Sequence, residues 1–358
     1  MHFPMRTSYR DDLRLFKDRA TLWQYTLLGA VLLVLPLLAG DYVLSQATFV
    51  FIYGIVAMGM MLLVGYAGQI SLGHAAFFAV GAYVCAVMET RGVPFPVAFF
   101  SAGAVSGIVG IVIGLPALRV KGIYLAMATL AFAFIVEEVI VRWSSMTRGN
   151  RGLTVPDANI FGVKLGSTTD IYYLSGVTFW LVVLLIVNVL RSRTGRALSA
   201  LRDSDVAAES MGINLAQFKT TAFAISAAVT GLAGALYAQK LAFISPEQFG
   251  ITVSVDFLMT IIIGGLGSLH GAVFGAMFFI LLPQLVVAVK SVLPARIAEL
   301  PVLDSVTFGI LVILFVMFEP RGLNGYWMRI KAYVSLFPFY RQGMFRRGKI
   351  SAGDLIKH

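Results

Sequence analysis

The sequence predicts an all-α, polytopic membrane helix bundle of about ten transmembrane helices with broken or re-entrant segments. Three observations predict it. The 358 residues are 58% hydrophobic and only 13% charged, whereas a soluble domain carries about 25% charged residues. The apolar runs repeatedly reach the roughly 20 residues that a helix needs to cross the hydrocarbon. The third observation is the placement of the basic residues. Of 28 Lys and Arg, five lie in the first twenty residues, five between Arg191 and Lys219, and eight after Pro320. Basic clusters separated by apolar runs are the pattern of the positive-inside rule, so the net charge of +10 points to cytoplasmic anchoring beside membrane lipid and not to nucleic acid.

In chain order, a basic cytoplasmic tail over 1–20 precedes spans at about 22–40, 46–65, 70–89, 95–118, 122–141, 171–190 and 217–239. The first run is span-length and no small-residue cleavage site interrupts it, so a first span is expected rather than a cleaved leader. The stretch 251–289 follows, then a span at 300–318, then a basic cytoplasmic tail over 321–358. Six crossings return a cytoplasmic N-terminus to the cytoplasm, which places the basic segment 193–216 inside and the loop 142–170 outside. A cytoplasmic C-terminus then requires 251–289 to count as two crossings, broken at GGLGSLHG (Gly264 to Gly271). The transmembrane core is thus 21–320, with both ends cytoplasmic.

Small residues recur on helical faces: Ala75, Ala79, Ala82, Ala86; Gly103, Gly107, Gly110, Gly114; Ala227, Gly231, Gly234, Ala238. Such stripes let helix backbones approach closely where lipid supplies no hydrophobic drive. They argue for a tightly packed bundle.

Soluble-type chemistry is excluded by what the chain contains. Cys85 stands alone, so no disulfide forms within the chain, and it reads as a small packing residue. The four histidines, His2, His74, His270 and His358, form no metal cluster. GMFRRGKI (Gly343 to Ile350) approaches a phosphate loop, but Ile350 stands where Ser or Thr must hold magnesium. No nucleophile–base pair is visible. If ATP powers the protein, another subunit hydrolyses it.

Four segments are candidates for function. GYAGQISLGH (Gly65 to His74) puts Gly68, Gln69, Ser71, Gly73 and His74 at membrane depth, and irregular polar backbone is tolerated there only if shielded by protein or lining a wet cavity. The residues either flank a solute path or cap and pack: Ser71 is placed to cap a helix starting at Leu72. Gly264, Gly265, Gly267 and Ser268 repeat the device late in the chain, and two glycine-interrupted spans point to one shared central site. Glu137, Glu138 and Asp256 lie near span ends, where pairing, for example with Arg142, competes with a proton relay. In the segment 193–216, Asp203 or Ser204 can cap a short helix carrying Asp205, Ala207, Ala208 and Glu209, with Gly212 as its stop. Its alternating acids and bases suit a protein groove better than anionic lipid.

The ordered set GYAGQISLGHAAFFAVGAY, LPALRVKGIYLAMATLAF, RTGRALSALRDSDVAAESMGIN, FKTTAFAISAAVTGLAGALYA, FISPEQF and IIIGGLGSLHGAVFGA resembles the branched-chain amino acid ABC transporter permeases of the LivM type, from about residue 40 to Gly325. The resemblance implies an importer in which two related permeases work with two cytoplasmic ATPases, which hold ATP and magnesium, and a periplasmic receptor delivering leucine, isoleucine or valine. It implies that the helix around Asp205–Gly212 docks on an ATPase. Ala207, Ala208 and Gly212 match the family's E-A-A-x-x-x-G spacing, while Val206 replaces its Glu. The outer loop departs from the family's T-G-G-x-x-G, reading Thr147, Arg148, Gly149, Asn150, Arg151, Gly152, and Arg148, Asn150 and Arg151 are expected at the receptor. Related permeases serve urea, short amides and other amino acids. A standalone channel or secondary transporter is the rival from another class, and it would have no partner ATPase.

Overall fold

The structure, a computed structural model, describes residues 19–290 apart from 121 and 161, positions 309, 310, 313 and 317, and residues 322–336. The tail 1–18, most of the expected span 300–318 and the chain after 336 lie outside the described residues.

Helices dominate because only helices or closed barrels satisfy every backbone group without water. They are α1 (Arg19–Leu38), α2 (Asp41–Met60), α3 (His74–Thr90), α4 (Phe95–Ala117), α5 (Ile123–Arg142), α6 (Thr168–Arg191), α7 (Arg193–Asp203), α8 (Asp205–Ser210), α9 (Leu215–Leu241), α10 (Ile251–Gly264), α11 (Leu269–Lys290) and α12 (Gly322–Leu336). Among the described residues, seven helices are long and apolar enough to cross a membrane, and α1 and α3 contribute shorter apolar stretches. The stretch 251–289 is two helices broken at 265–268, as its glycines predict.

Burial ranks the helices. The span windows of α2 and α9 are 72% and 67% buried, against 28% for α5 and α6. The bundle is therefore built around α2 and α9, with α5 and α6 at its rim. The small-residue stripes form the contacts of α9 with α3 and α4. A Cβ on Gly234 would stand 2.0 Å from the Phe78 carbonyl oxygen, and one on Gly81 2.0 Å from that of Gly231. On α4, Gly110 abuts Ala227 and the Phe223 carbonyl, and Gly114 abuts Thr220. At α2–α6, Gly54 receives the Phe179 ring, and Phe51 stacks obliquely on Phe179 and Tyr172.

Proline explains how α1 is held. Pro36 has no N–H to give the Leu32 carbonyl four residues earlier. The Tyr172 hydroxyl donates to that oxygen at 2.7 Å, and Tyr173 donates to Leu33 at 3.0 Å.

The loop 142–170 is more ordered than a plain connection. One helical turn (Ser144–Thr147) and a short 3₁₀ turn lead to β1 (Leu153–Thr154), then β2 (Ala158–Ile160) and β3 (Val163–Leu165) form a hairpin. β1 pairs antiparallel with β4 (Phe243–Ile244), which follows α9. At the opposite end of the sequence, the stretch expected as a tail from residue 321 begins with α12. Its Trp327 ring packs edge-on against Phe274, and Leu323 joins Ile263 and Leu282.

Candidate functional site

The first break begins inside α2. Residues Met61–Tyr66 continue the helix as a wide π turn, a form that recurs at functional positions. The backbone leaves the helix at Ala67, passes Gly68 at φ +66°, and re-enters at His74. The expectation that the second helix starts at Leu72, capped by Ser71, is corrected here: α3 starts at His74, and Gly73 caps it with no side-chain hydrogen bond.

Distant side chains supply the caps instead. The Leu72 N–H donates to Thr129 Oγ1 of α5 at 3.0 Å, and the Ala75 N–H to Ser254 Oγ of α10 at 3.0 Å. A helix start leaves four N–H groups without intrahelical partners, so these two hydroxyls fix α3 against two other helices. Gly73 presses on the Thr129 carbonyl, where a Cβ would sit 2.5 Å from the oxygen.

Ser71 and His74 form a clasp. Ser71 Oγ accepts from the Gly73 N–H at 3.3 Å and lies 3.1 Å from His74 Nδ1, while His74 Nε2 lies 2.8 Å from Ser226 Oγ of α9. All three side chains are fully buried. Ser226 is eleven residues along α9 from Leu215, about 16 Å by helical rise. The clasp is thus at mid-helix depth. Gln69 is buried too, but among the described residues its Oε1 has no hydrogen-bond partner. Gly68 and Ile70 are exposed, so the outer edge of the break is open.

The second break meets the first. α10 ends at Gly264, Gly265 adopts φ +114°, and Gly267 adopts φ +79°. These left-handed values favour glycine. Ser268 Oγ then accepts from the Gly271 N–H at 3.0 Å as α11 starts. A Cβ on Gly65 would stand 2.6 Å from the Gly267 nitrogen, so the two breaks are in backbone contact. Gly264 lies directly on the Gly271 carbonyl, and Gly322 of α12 on the Gly265 backbone. The two glycine-interrupted segments, far apart in sequence, thus meet in space.

The connecting segment is beside the breaks. α7 turns Leu198 and Leu201 inward. Ser204, rather than Asp203, caps α8, its Oγ accepting from the Ala207 N–H at 3.3 Å. Gly212 at φ +82° closes the helix end. Asp205 does not face outward as free charge: Lys219 Nζ of α9 donates to its Oδ2 at 2.9 Å in a largely buried pair. Ala208 packs inward, while Asp203, Ala207 and Glu209 are exposed. Val206 and Met211 are 75% and 81% exposed, two apolar side chains on a polar segment.

At the far end, Thr147 Oγ1 bonds the Ile140 and Trp143 carbonyls and accepts from the Gly149 N–H. Arg148, Asn150 and Arg151 are all exposed. Arg148 adopts φ +61°, a left-handed position that costs a non-glycine residue roughly 1–2 kcal/mol. Nearby, Glu138 pairs with Arg142 on the surface.

Sequence reasoning missed Arg202 and Glu89. Glu89 is buried, accepting from Gln239 Nε2 and from Cys85 Sγ, with Oε1 unpartnered among the described residues. Cys85 thus bonds as well as packs. An acid at the end of an apolar run, with partners on another helix, gives no signal in the sequence.

Two interrupted helices that meet inside a polytopic helical bundle, beside an amphipathic connecting segment, define a membrane transport protein. The family described as the branched-chain amino acid transport system permease component matches residues 42–316, and the chain belongs to that family. It is 32% identical over 334 aligned residues to the high-affinity branched-chain amino acid transport system permease protein LivM of Salmonella typhimurium, covering 86% of this chain and 76% of the relative. The Escherichia coli K12 LivM is 31% identical with the same coverage. The Salmonella typhimurium LivH permease protein is 24% identical over 292 residues, covering 76% of this chain and 91% of LivH. No solved structure matches the chain.

Proposed function

We propose that this chain is one permease subunit of an ATP-driven importer for leucine, isoleucine and valine in the bacterial cytoplasmic membrane. It forms half of the translocation path beside a second, related permease. Two cytoplasmic ATPases hold ATP and magnesium, and a periplasmic solute-binding protein delivers the amino acid. The chain crosses the membrane ten times with both termini cytoplasmic. The observation that carries the reading is the family match across residues 42–316; similarity to both LivM and LivH relatives supports a paired permease.

In this reading the basic end, with Arg193, Arg196 and α8, faces the cytoplasm. Val206 and Met211 are the apolar contacts offered to an ATPase groove, and Ala207, Glu209 and Gly212 shape the same helix. Asp205 orients it through Lys219. Arg148, Asn150 and Arg151 face the receptor on the other side. ATP binding closes the ATPase pair and moves α8. The permease then changes which side its path faces, since binding at one site biases a two-state element at another.

The path runs by the breaks: Gly68, Gln69, Ser71, Gly73 and His74 from the first, Gly264, Gly265, Gly267 and Ser268 from the second. These positions have distinct jobs. Among the described residues Gln69 Oε1 is a buried acceptor without a donor, and a zwitterionic amino acid brings an ammonium that supplies one. Ser71 and His74 brace the break. In proteoliposomes holding the whole importer, Gln69→Ala is therefore expected to lower leucine uptake about tenfold, one charge-assisted hydrogen bond. Ser71→Ala unpairs the buried His74 Nδ1 and lowers stability by about 1–3 kcal/mol, read as an earlier thermal transition. Unchanged uptake in both variants would remove the breaks from the path.

A further inference from the structure

Arg202 is the last basic residue of α7, two positions before the Ser204 cap of α8. Its Nη1 donates to the Gly65 carbonyl at 2.8 Å, across 137 residues of sequence. That oxygen lies in the last turn of the α2 extension, where carbonyls lack intrahelical partners. The arginine stem runs along Gly68, whose Cβ would lie 3.6–3.8 Å from Arg202 Cα, Cβ and Cγ. A Cβ on Gly267 would lie 3.0 Å from Nη1 and 3.5 Å from the Gly65 oxygen. One guanidinium thus touches both breaks at once, where the extension of α2 and the end of α10 come together. Helix C-termini carry partial negative charge that a cation offsets. Arg202 is exposed; among the described residues no carboxylate forms an ion pair with it, and its Nη1 bond goes to backbone.

The rest of the segment is rigidly attached. Leu198 and Leu201 are buried on α7, Ser204 joins α7 to α8 without a spacer, and the Asp205–Lys219 pair ties α8 to α9. A displacement of α8 is therefore passed to α7, and Arg202 is where α7 reaches the interrupted helices.

We infer that Arg202 is the positioning residue that transmits movement of the α7–α8 segment to both helix breaks, so that ATP use and opening of the path stay coupled. The inference rests on the importer reading. If the complex with native Arg202 shows no ATP-dependent uptake, that reading fails before any variant is made.

The test uses the assembled importer in proteoliposomes, with leucine transported per ATP hydrolysed as the first readout. Arg202→Ala is expected to lower that ratio about tenfold, within the usual range of coupling free energies. Arg202→Lys, which keeps the charge but not the fork, is expected to restore part of it. The second readout is labelling of an Ile70→Cys variant by a membrane-impermeant maleimide, since Ile70 is 43% exposed at the first break and the one native cysteine is buried. With Arg202 present, labelling is expected to differ between ATP-bound and nucleotide-free complexes; in Arg202→Ala that difference disappears. An unchanged transport ratio, or a nucleotide-dependent labelling difference that survives in Arg202→Ala, would overturn the inference. Should Arg202→Ala fail to assemble, Arg202→Gln replaces it, and equal ratios for Gln and Lys variants would overturn the inference equally.

Discussion

Gly234→Ala is expected to disrupt the packing of α9 against α3. The added Cβ would stand 2.0 Å from the Phe78 carbonyl and 3.0 Å from the Ala82 nitrogen. Those are backbone atoms, so neither can rotate away, and α3 must separate from α9. Overpacking of this kind costs about 3 kcal/mol. In a protein of this size the loss corresponds to a drop of about 4 °C in melting temperature. The separation also pulls His74 from Ser226, which lies two turns earlier on α9. Gly29→Ala in α1 is the control. Among the described residues nothing lies within 4 Å of its Cβ position, and alanine favours helix over glycine by about 1 kcal/mol. Its melting temperature in detergent should therefore be unchanged or raised. Equal melting temperatures for the two variants would mean that the glycine stripes do not carry the α3–α9 contact.

Val206→Asp should separate this chain from its ATPases while leaving the chain itself folded. Val206 is 75% exposed and Met211 81%, so neither contributes to the internal core. Burying a valine against a partner is worth about 1.5–3 kcal/mol, and an unpaired carboxylate in its place adds a desolvation cost. Together they exceed the 1.4 kcal/mol of a tenfold change in affinity. Less than about a tenth of the ATPase recovered with the native chain is expected on affinity isolation. Full ATPase recovery with Val206→Asp would move the docking surface off α8. Its neighbour Asp205 acts differently. Removing it strands Lys219, 8% exposed, and breaking one partner of such a pair costs about 3–5 kcal/mol. The family's glutamate position is thus filled here by an exposed valine, and the adjacent Asp205 is paired with Lys219.

Much of this arrangement was legible before the fold. Glycine and polar residues at membrane depth located both breaks, and their pairing near one place followed from there being two. The small-residue stripes announced close helix packing, and the structure places it where α9 meets α3 and α4. What was hidden depended on partners far away in sequence. The start of α3 was misplaced by two residues because its capping hydroxyls, Thr129 and Ser254, lie 57 and 179 positions away. Arg202 read as one more basic residue in a basic segment, since nothing local announces that its guanidinium reaches Gly65. The strands of the outer loop span only two or three residues each, too short for alternation to show.

Isolation of the chain from its native membrane in mild detergent, with identification of what accompanies it, tests the central claim most directly. The account predicts two ATPases and a second permease in stoichiometric amount, and ATP-dependent leucine uptake once these are reconstituted with the solute-binding protein. A chain recovered alone, under conditions that hold a known ABC importer together, would contradict it and favour a channel or secondary transporter.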